Sequence, residues 1–414
     1  MAFQQGLSGL NASSKALDVI SNNVANASNV GFKLSGTQFA DVYASALNGA
    51  SAGVSVGIGT QVGKVAQVFN QGNITPTNNP LDVAINGAGF FRMNDEGSVS
   101  YTRNGQFQID KNGYIINAQG KQLTGYPAST TGQILPASPS PIFIDTADLM
   151  PAQSVDVAMG LNLDSRQLAP VNPFVVGATT PDPSTYNSST SVTLFDSLGN
   201  SHILTMYFAT QGTGNGQWEM YTQLDGDATV QVASPALTFD QTGQLINPPP
   251  GTALPIGPLN VTTGATTPFS INLDLTSSTQ YGSAFGVNRQ TQDGFASGRL
   301  SGVTIGNDGV IQGRYSNGQT RNLGQIVLVN FPNPQGLLSM GNNAWGESPT
   351  SGQPLVGAPG TGSLGLMTAG SVEESNVDLT AELVSMITAQ RNYQANAQSI
   401  KTQDQVLQTL VNLR

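Results

Sequence analysis

The two ends of the chain carry a helical hydrophobic repeat, and everything between them reads as β. At the C-terminus Leu379, Leu383, Met386, Gln390, Tyr393, Ala397, Ile400, Asp404, Leu407 and Val411 are spaced alternately four and three residues apart, with only Gln390 and Asp404 polar. That spacing is the a/d seam of a heptad repeat. Val384, Ile387, Val406 and Leu410 widen the stripe, and the opposite face is Gln, Asn, Thr and Ser. Asp378 and Glu382 put negative charge at the first turn, where the helix dipole favours it. No Gly or Pro interrupts residues 376 to 414.

The N-terminus mirrors this pattern. Phe3, Leu7, Leu10, Leu17 and Val24 keep the same spacing, with Ser14 and Ser21 at the polar interruptions. Ala12, Ala16, Ile20 and Ala27 add small apolar surface beside the seam. Ser28-Asn29-Val30-Gly31 supplies a helix stop, with Gly31 free to take positive φ. Neither helix can bury its stripe alone. Packing on the chain's own body is one outlet. The seams lie at opposite termini and are nearly free of charge, which favours an intermolecular helical core. The candidate subunit-interface residues are therefore Phe3, Leu7, Leu10, Leu17, Ile20, Val24, Leu379, Leu383, Met386, Ile387, Tyr393, Ile400, Leu407 and Val411.

Between the helices, short apolar runs alternate with Gly and Asn turns. Leu81 to Gly87 alternates at period two and ends in Asn86-Gly87. Phe90 to Met93, Tyr101 to Arg103, Phe107 to Ile109 and Tyr114 to Ile116 read as further strands, separated by turns such as Asn94-Asp95-Glu96-Gly97. Residues 294 to 345 resume the style with Val303 to Ile305, Val310-Ile311 and Gln325 to Val329. Residues 128 to 190 and 232 to 280 are instead rich in Ser, Thr, Pro and Ala. They flank strands at Ser191–Phe195, Ile203–Phe208 and Trp218–Gln223. The expected organisation is a mainly β, multi-domain chain with a coiled-coil-like terminal domain, residues 1–30 and 372–414. Extended connectors would span 31–71, including Gly49 to Gly53, and 357–371. An inner β domain would use 72–148 and 294–356, with an outer β domain, 149–293, inserted at a loop tip.

Composition sharpens the picture. The 414 residues allow two to three domains. Charged residues make up only 10%, against about 25% in typical soluble proteins. Either a loop-rich β surface or extensive contact with other copies accounts for this, since charges at an interface core lose hydration. The formal net charge of −10 argues against a nucleic-acid surface, which needs clustered Lys and Arg. Cysteine is absent, which removes disulfides, thiolate nucleophiles and Cys-bound zinc. Met1 to Ile20 lacks the basic and apolar regions of a secretory signal, and no run is long enough to span a membrane.

Candidate chemistry is mostly near misses. The single histidine, His202, removes most triad and His-metal mechanisms, and its alternating strand context predicts a solvent-facing side chain. Gly57 to Val65 has the look of a phosphate loop, but Ile58 stands where the first Gly belongs and Val65 where Ser or Thr should follow Lys64; a Gly-rich turn is the expected structure. Asp95-Glu96-Gly97 and Asp110 to Gly113 do not continue into a calcium loop. Trp218 and Trp345 are expected to fill cores. No cofactor and no metal is expected. An enzyme would need paired carboxylates, for which Asp196 and Asp225 are the best pair on offer. A cell-surface adhesin would suit the Ser/Thr-rich β regions but leaves two terminal seams unexplained.

Several segments resemble a known family. Leu7-Ser8-Gly9-Leu10-Asn11-Ala12, Leu17 to Asn26 and Gly31-Phe32-Lys33 are similar to the N-terminal signature of bacterial flagellar rod and hook proteins. Ser375 to Leu379, Glu382-Leu383, Met386-Ile387 and Gln390 to Asn396 resemble their C-terminal signature. Leu81 to Phe91 with Tyr101 to Pro127 resembles the inner β domain of the hook branch rather than the shorter distal-rod branch, which is the alternative. The resemblance covers roughly residues 1–130 and 295–414. It implies a non-enzymatic structural homopolymer of many copies, located in the extracellular hook of the flagellum. That polymer would be a curved tube joining rod to filament and acting as a universal joint. Rod, hook-cap and hook–filament junction proteins would be its partners, and the flagellar type III export apparatus its route out. Neither nucleic acid nor membrane insertion is implied.

Overall fold

The computed structural model describes residues 2–42, 59–212 and 216–412. Gly49 to Gly53, part of the expected connector, lie outside the described residues. The chain divides into two compact units. One holds residues 1–146, 301–314 and 320–414; the other holds 147–300 and 315–319.

In the first unit both terminal repeats are helical: α1 is Ala2–Ala25 and α2 is Leu379–Asn412. Asp378 caps α2, its carboxylate accepting the backbone N–H groups of Thr380 and Ala381. Where an extended connector was expected after α1, the strands Ser35–Val42 and Gly59–Gln67 pair antiparallel. Residues 59–65 of the expected Gly-rich turn lie in the second of these strands, and Gly57 and Ile58 lie outside the described residues. Bonding across the ladder satisfies every second backbone group, which an isolated connector would have to leave to water. The later connector is likewise occupied, since Leu366–Ala369 pairs with Val83–Asn86 and Ser371–Glu373 with Ile74–Pro76. That pairing covers Val83–Asn86, and Val83, Ala84 and Ile85 are all fully buried. The expected one-sided alternation there gives way to burial on both faces.

The body of this unit is an antiparallel sheet in which Phe90–Asp95 lies beside Ser98–Thr102, Gln122–Pro127 and Leu328–Asn330. Phe90, Tyr101, Phe331 and Trp345 form an aromatic core with edge-to-face contacts at 4.8–6.1 Å. Such pairs add about 0.5–1.5 kcal/mol each beyond their burial.

The second unit is built from two sheets that share one core. The first sheet orders Leu254–Leu259, Phe269–Asp274, Asp156–Asn162 and Gly286–Gln292; the second runs Ser188–Phe195, Ser201–Thr210, Gln217–Leu224, Val230–Phe239 and Leu245–Asn247. Alternation does the packing: Val157, Met159 and Leu161 from one sheet enter the same core as Leu204, Met206 and Phe208 from the other. Four of these strands lie wholly within the Ser/Thr/Pro-rich stretches, where the composition hides their alternation. Trp218 and Trp345 fill cores as expected, each 2% exposed or less. Truncating the buried Met206 (Met206→Ala) should destabilise the second unit by about 2–5 kcal/mol. Urea unfolding followed by Trp218 fluorescence checks this, with Trp345 of the other unit as the internal control.

Candidate assembly interface

The face by which α1 meets α2 sets small residues of α1 against Asn396 and the seam residue Ile400 of α2. The helices run antiparallel: Gly6 lies against Ile400, Gly9 against Asn396, and Asn23 reaches Glu382. A Cβ added to Gly6 would sit 3.0 Å from the Ile400 side chain, and one on Gly9 2.8 Å from that of Asn396. Ala12 and Ala389 are buried beside this contact. Gly9, Ala12, Ala16, Ala389 and Ala395 line a shallow groove that Phe39 and Thr60 close from the hairpin. Small side chains let two helix backbones approach closely, which is why Gly6, Gly9 and Ala12 recur at three-residue intervals. The expected seam contained Ile400 and had Ala12 and Ala16 beside it, but not Gly6 and Gly9.

With that contact made, several of the larger apolar side chains remain exposed. Phe3, Leu7, Leu379, Leu383, Ile387 and Leu407 are each 44–54% exposed, and Tyr393 is 37% exposed. Val384 and Val406 extend the same exposed surface. Leu10, Leu17, Ile20, Val24, Met386 and Ile400 are half-buried, Ile400 against Gly6. The side chain of Val411 lies outside the described residues. Among the described residues, both helices thus keep large apolar side chains exposed, the kind of apolar surface that marks an interaction site.

The helix pair is rooted in the β body by a buried ionic cluster. Glu373, fully buried just before α2, receives Lys33 Nζ at 2.5 Å on Oε1 and Arg103 Nη1 at 2.9 Å on Oε2. Two further donors find carbonyls nearby, Lys33 Nζ that of Asn70 and Arg103 Nη2 that of Gly87, whereas Arg103 Nε is buried without a hydrogen-bond partner. Burial pulls the Lys33 pKa below its ordinary value, against the attraction of Glu373. Two asparagines clasp the same junction. Asn23 exchanges hydrogen bonds with the backbone of Ser35 and donates to Glu382, and Asn376 joins Leu34 N–H to the carbonyls of Val68 and Asn70. Sequence reasoning placed Lys33 and Asn376 only as motif letters and missed Glu373 and Arg103; a buried ion pair between residues 340 positions apart has no local signal.

In the second unit the structure corrects the expectation for His202, which is 4% exposed. Its Nδ1 lies 2.6 Å from Asp225 Oδ2 and its Nε2 3.2 Å from Asp196 Oδ2. The two carboxylates singled out for an enzyme are thus brought together, but each occupies one ring nitrogen. No nitrogen is left to serve a nucleophile. Among the described residues no cluster of His, Asp and Glu could hold a metal ion.

The junction yields a test. Glu373→Gln leaves Lys33 and Arg103 buried without their shared counter-charge and should cost about 3–5 kcal/mol, whereas Lys33→Met keeps the Glu373–Arg103 pair and should cost less. Chemical denaturation of the two variants checks the order.

Comparison with known proteins covers nearly the whole chain. Residues 3–33 match the family model "Flagella basal body rod protein", 84–159 "Flagellar hook protein FlgE/F/G D1 domain", 162–295 "Flagellar basal body protein FlaE D2 domain", and 368–413 "Flagellar basal body rod FlgEFG protein C-terminal". The chain is 45% identical to the flagellar hook protein FlgE of Escherichia coli K12, over the full length of both. It is 33% identical to that of Rhizobium meliloti, over all of this chain and 98% of the relative. The crystal structure of Helicobacter pylori flagellar hook protein FlgE2 shares the fold at a TM-score of 0.52 and 14% identity, covering 72% of this chain and 99% of that one. With two terminal helices, a β body and full-length identity of this order, the chain belongs to the flagellar hook protein family.

Proposed function

We propose that the chain is the structural subunit of the bacterial flagellar hook, polymerising into a curved tube outside the cell that carries torque from rod to filament. The observation that carries the reading is the exposed apolar surface on α1 and α2, in a chain alike over its full length to proteins named as hook proteins. In the polymer that surface packs against the helices of neighbouring copies and builds an inner tube. The rod, the hook cap and the hook–filament junction proteins meet its ends, and the flagellar export apparatus delivers the subunits. A distal-rod role is the weaker reading, because the full-length relatives at 45% identity are hook proteins.

The mechanics follow from how each layer is built. Helices locked by apolar side chains resist twist. Residues 147–300 contain three Arg, no Lys and eleven carboxylates, so neighbouring outer units have few ion pairs with which to lock. Contacts between them are polar and shift by small energy steps, as bending during rotation requires. Leu383→Asp combined with Ile387→Asp puts two charges into the proposed interface, at a cost of several kcal/mol, roughly 1–3 or more for each group left unpaired. Both residues face away from the contact with α1, so the monomer should keep its circular dichroism and its melting curve while polymer vanishes in sedimentation and electron microscopy. Tubes formed normally by this double variant would refute the interface. Removing residues 149–293 should leave polymer that is thinner and straight; curved tubes from that deletion would deny the outer unit its role in shape.

A further inference from the structure

The second unit holds the chain's single histidine in a setting that the hook reading does not use. Asp196 is fully buried at the turn after Ser188–Phe195 and accepts five hydrogen bonds. Its Oδ1 takes the backbone N–H groups of Leu198 and Asn200, and its Oδ2 takes Asn200 Nδ2, Thr263 Oγ1 and His202 Nε2. Burial works against its charge, but those donors outweigh it and hold the carboxyl well below the usual carboxylate range. It therefore has no proton to offer the ring. Asp225, held at φ +49° in the turn after Gln217–Leu224, accepts Ile203 N–H on Oδ1 and faces His202 Nδ1 with Oδ2. Both ring nitrogens thus point at acceptors. A neutral imidazole has one N–H and one lone pair, so one of the two contacts would be lone pair against carboxylate. The geometry fits the doubly protonated ring. The charged groups in contact with it are Asp196 and Asp225; the third element packed there, the loop carrying Thr263, contributes a neutral hydroxyl.

What this clasp holds is the neck of the unit. The chain enters and leaves through two segments paired at Leu149–Gly298 and Ala152–Phe295. The Asp196–Asn200 turn is pressed onto both. A Cβ on Gly199 would lie 2.7 Å from Pro151 and 3.2 Å from the Cα of Ala296, and Gly199 takes φ +84°. Ser154 exchanges backbone and hydroxyl bonds with Phe195 at the base of the same turn. We propose that His202 is a proton-operated clasp that sets how firmly the neck segments 149–152 and 295–298 are held. Protonated, it ties the Asp196 turn, which the Thr263 hydroxyl also bonds, to the Asp225 hairpin behind the neck. On losing its proton it drops one carboxylate, and the turn loosens.

The sign follows from linkage. Burial alone would lower the histidine pKa, but the hydrogen bonds and charges of Asp225 and Asp196 outweigh it and raise the value above the ordinary 6.5. A group raised on folding contributes stability that is complete below its unfolded pKa and is lost as pH rises through the folded one. The clasp is therefore closed at mildly acid pH and opens toward alkaline pH.

The test uses the full chain, with imidazole NMR to follow the one histidine and hydrogen exchange to follow the neck amides between pH 6 and 9. After correction for the intrinsic pH dependence of exchange, the amides of Leu149, Ala152, Phe295 and Gly298 should exchange several-fold faster at the upper end. The midpoint should match the imidazole titration, and the amides around Glu373 should show no such step. In His202→Gln the step should disappear. Asp225→Asn removes one carboxylate opposite the ring while leaving an acceptor for Ile203 N–H, so the midpoint should move to lower pH; this variant carries the test if His202→Gln does not fold. A corrected exchange rate that stays flat in the wild type, a step that survives in His202→Gln, or a midpoint unmoved in Asp225→Asn would each overturn the proposal.

Discussion

The buried carboxylate of Glu373 is the constraint on which the rest of the first unit depends. An ionised group with no solvent contact is expensive unless its partners are fixed, and here the group and its two partners come from three distant parts of the chain. Lys33 follows α1, Arg103 belongs to the β body, and Glu373 itself leads into α2. Satisfying one charge therefore brings the end of one helix and the start of the other to the same place on the sheet. Gly31 shows how tight the convergence is. Its N–H donates to the Glu373 carbonyl, its φ is +72°, and a Cβ there would stand 2.6 Å from the Asn104 nitrogen. Arg103 spreads its guanidinium over the Phe90 ring at 5.5 Å, so the ionic cluster is continuous with the aromatic core.

Because both helices are rooted there, their mutual packing is restricted. They leave the junction antiparallel and meet through Gly6, Gly9 and Ala12 on one side and Ala389, Asn396 and Ile400 on the other. Close backbone approach uses up the small residues and leaves Leu7, Leu379, Leu383 and Leu407 exposed. These leucines thus owe their exposure to a competition in which glycine and alanine win the intrachain contact. The low charge of the chain is in keeping with the proposed assembly, since a surface that meets copies of itself loses least on burial when it carries Gln, Asn, Ser and Thr rather than ions.

The second unit shows the opposite balance of local and distant effects. Its strands are held by a continuous two-sheet core, and its few charges are spent on turns and on the histidine clasp. Asp196, Asp225 and His202 all sit at strand ends, where backbone N–H groups are free to bind carboxylates. The position of His202 in an alternating strand predicts the outward face of the sheet; two flanking carboxylates and the Thr263 loop then cover that face and bury the ring.

Taken alone, the sequence determined everything that rests on local periodicity. The four-three spacing from Leu379 onward made α2, its N-terminal mirror made α1, and the Asn-Gly and Asp-Gly turns cut the sheet into strands. The terminal motifs also sufficed to point to the family, because they are long and contiguous. Tertiary structure decided what depends on partners remote in the chain: that Val83 to Ile85 are buried on both faces, that residues 35–42 and 59–67 are paired strands, that Glu373 meets Lys33 and Arg103, and that His202 is enclosed. The physical reason is common to all four. Periodicity records which face of an element is apolar, whereas burial, pairing and charge are settled by whichever segment arrives on that face, and nothing within a few residues encodes its arrival.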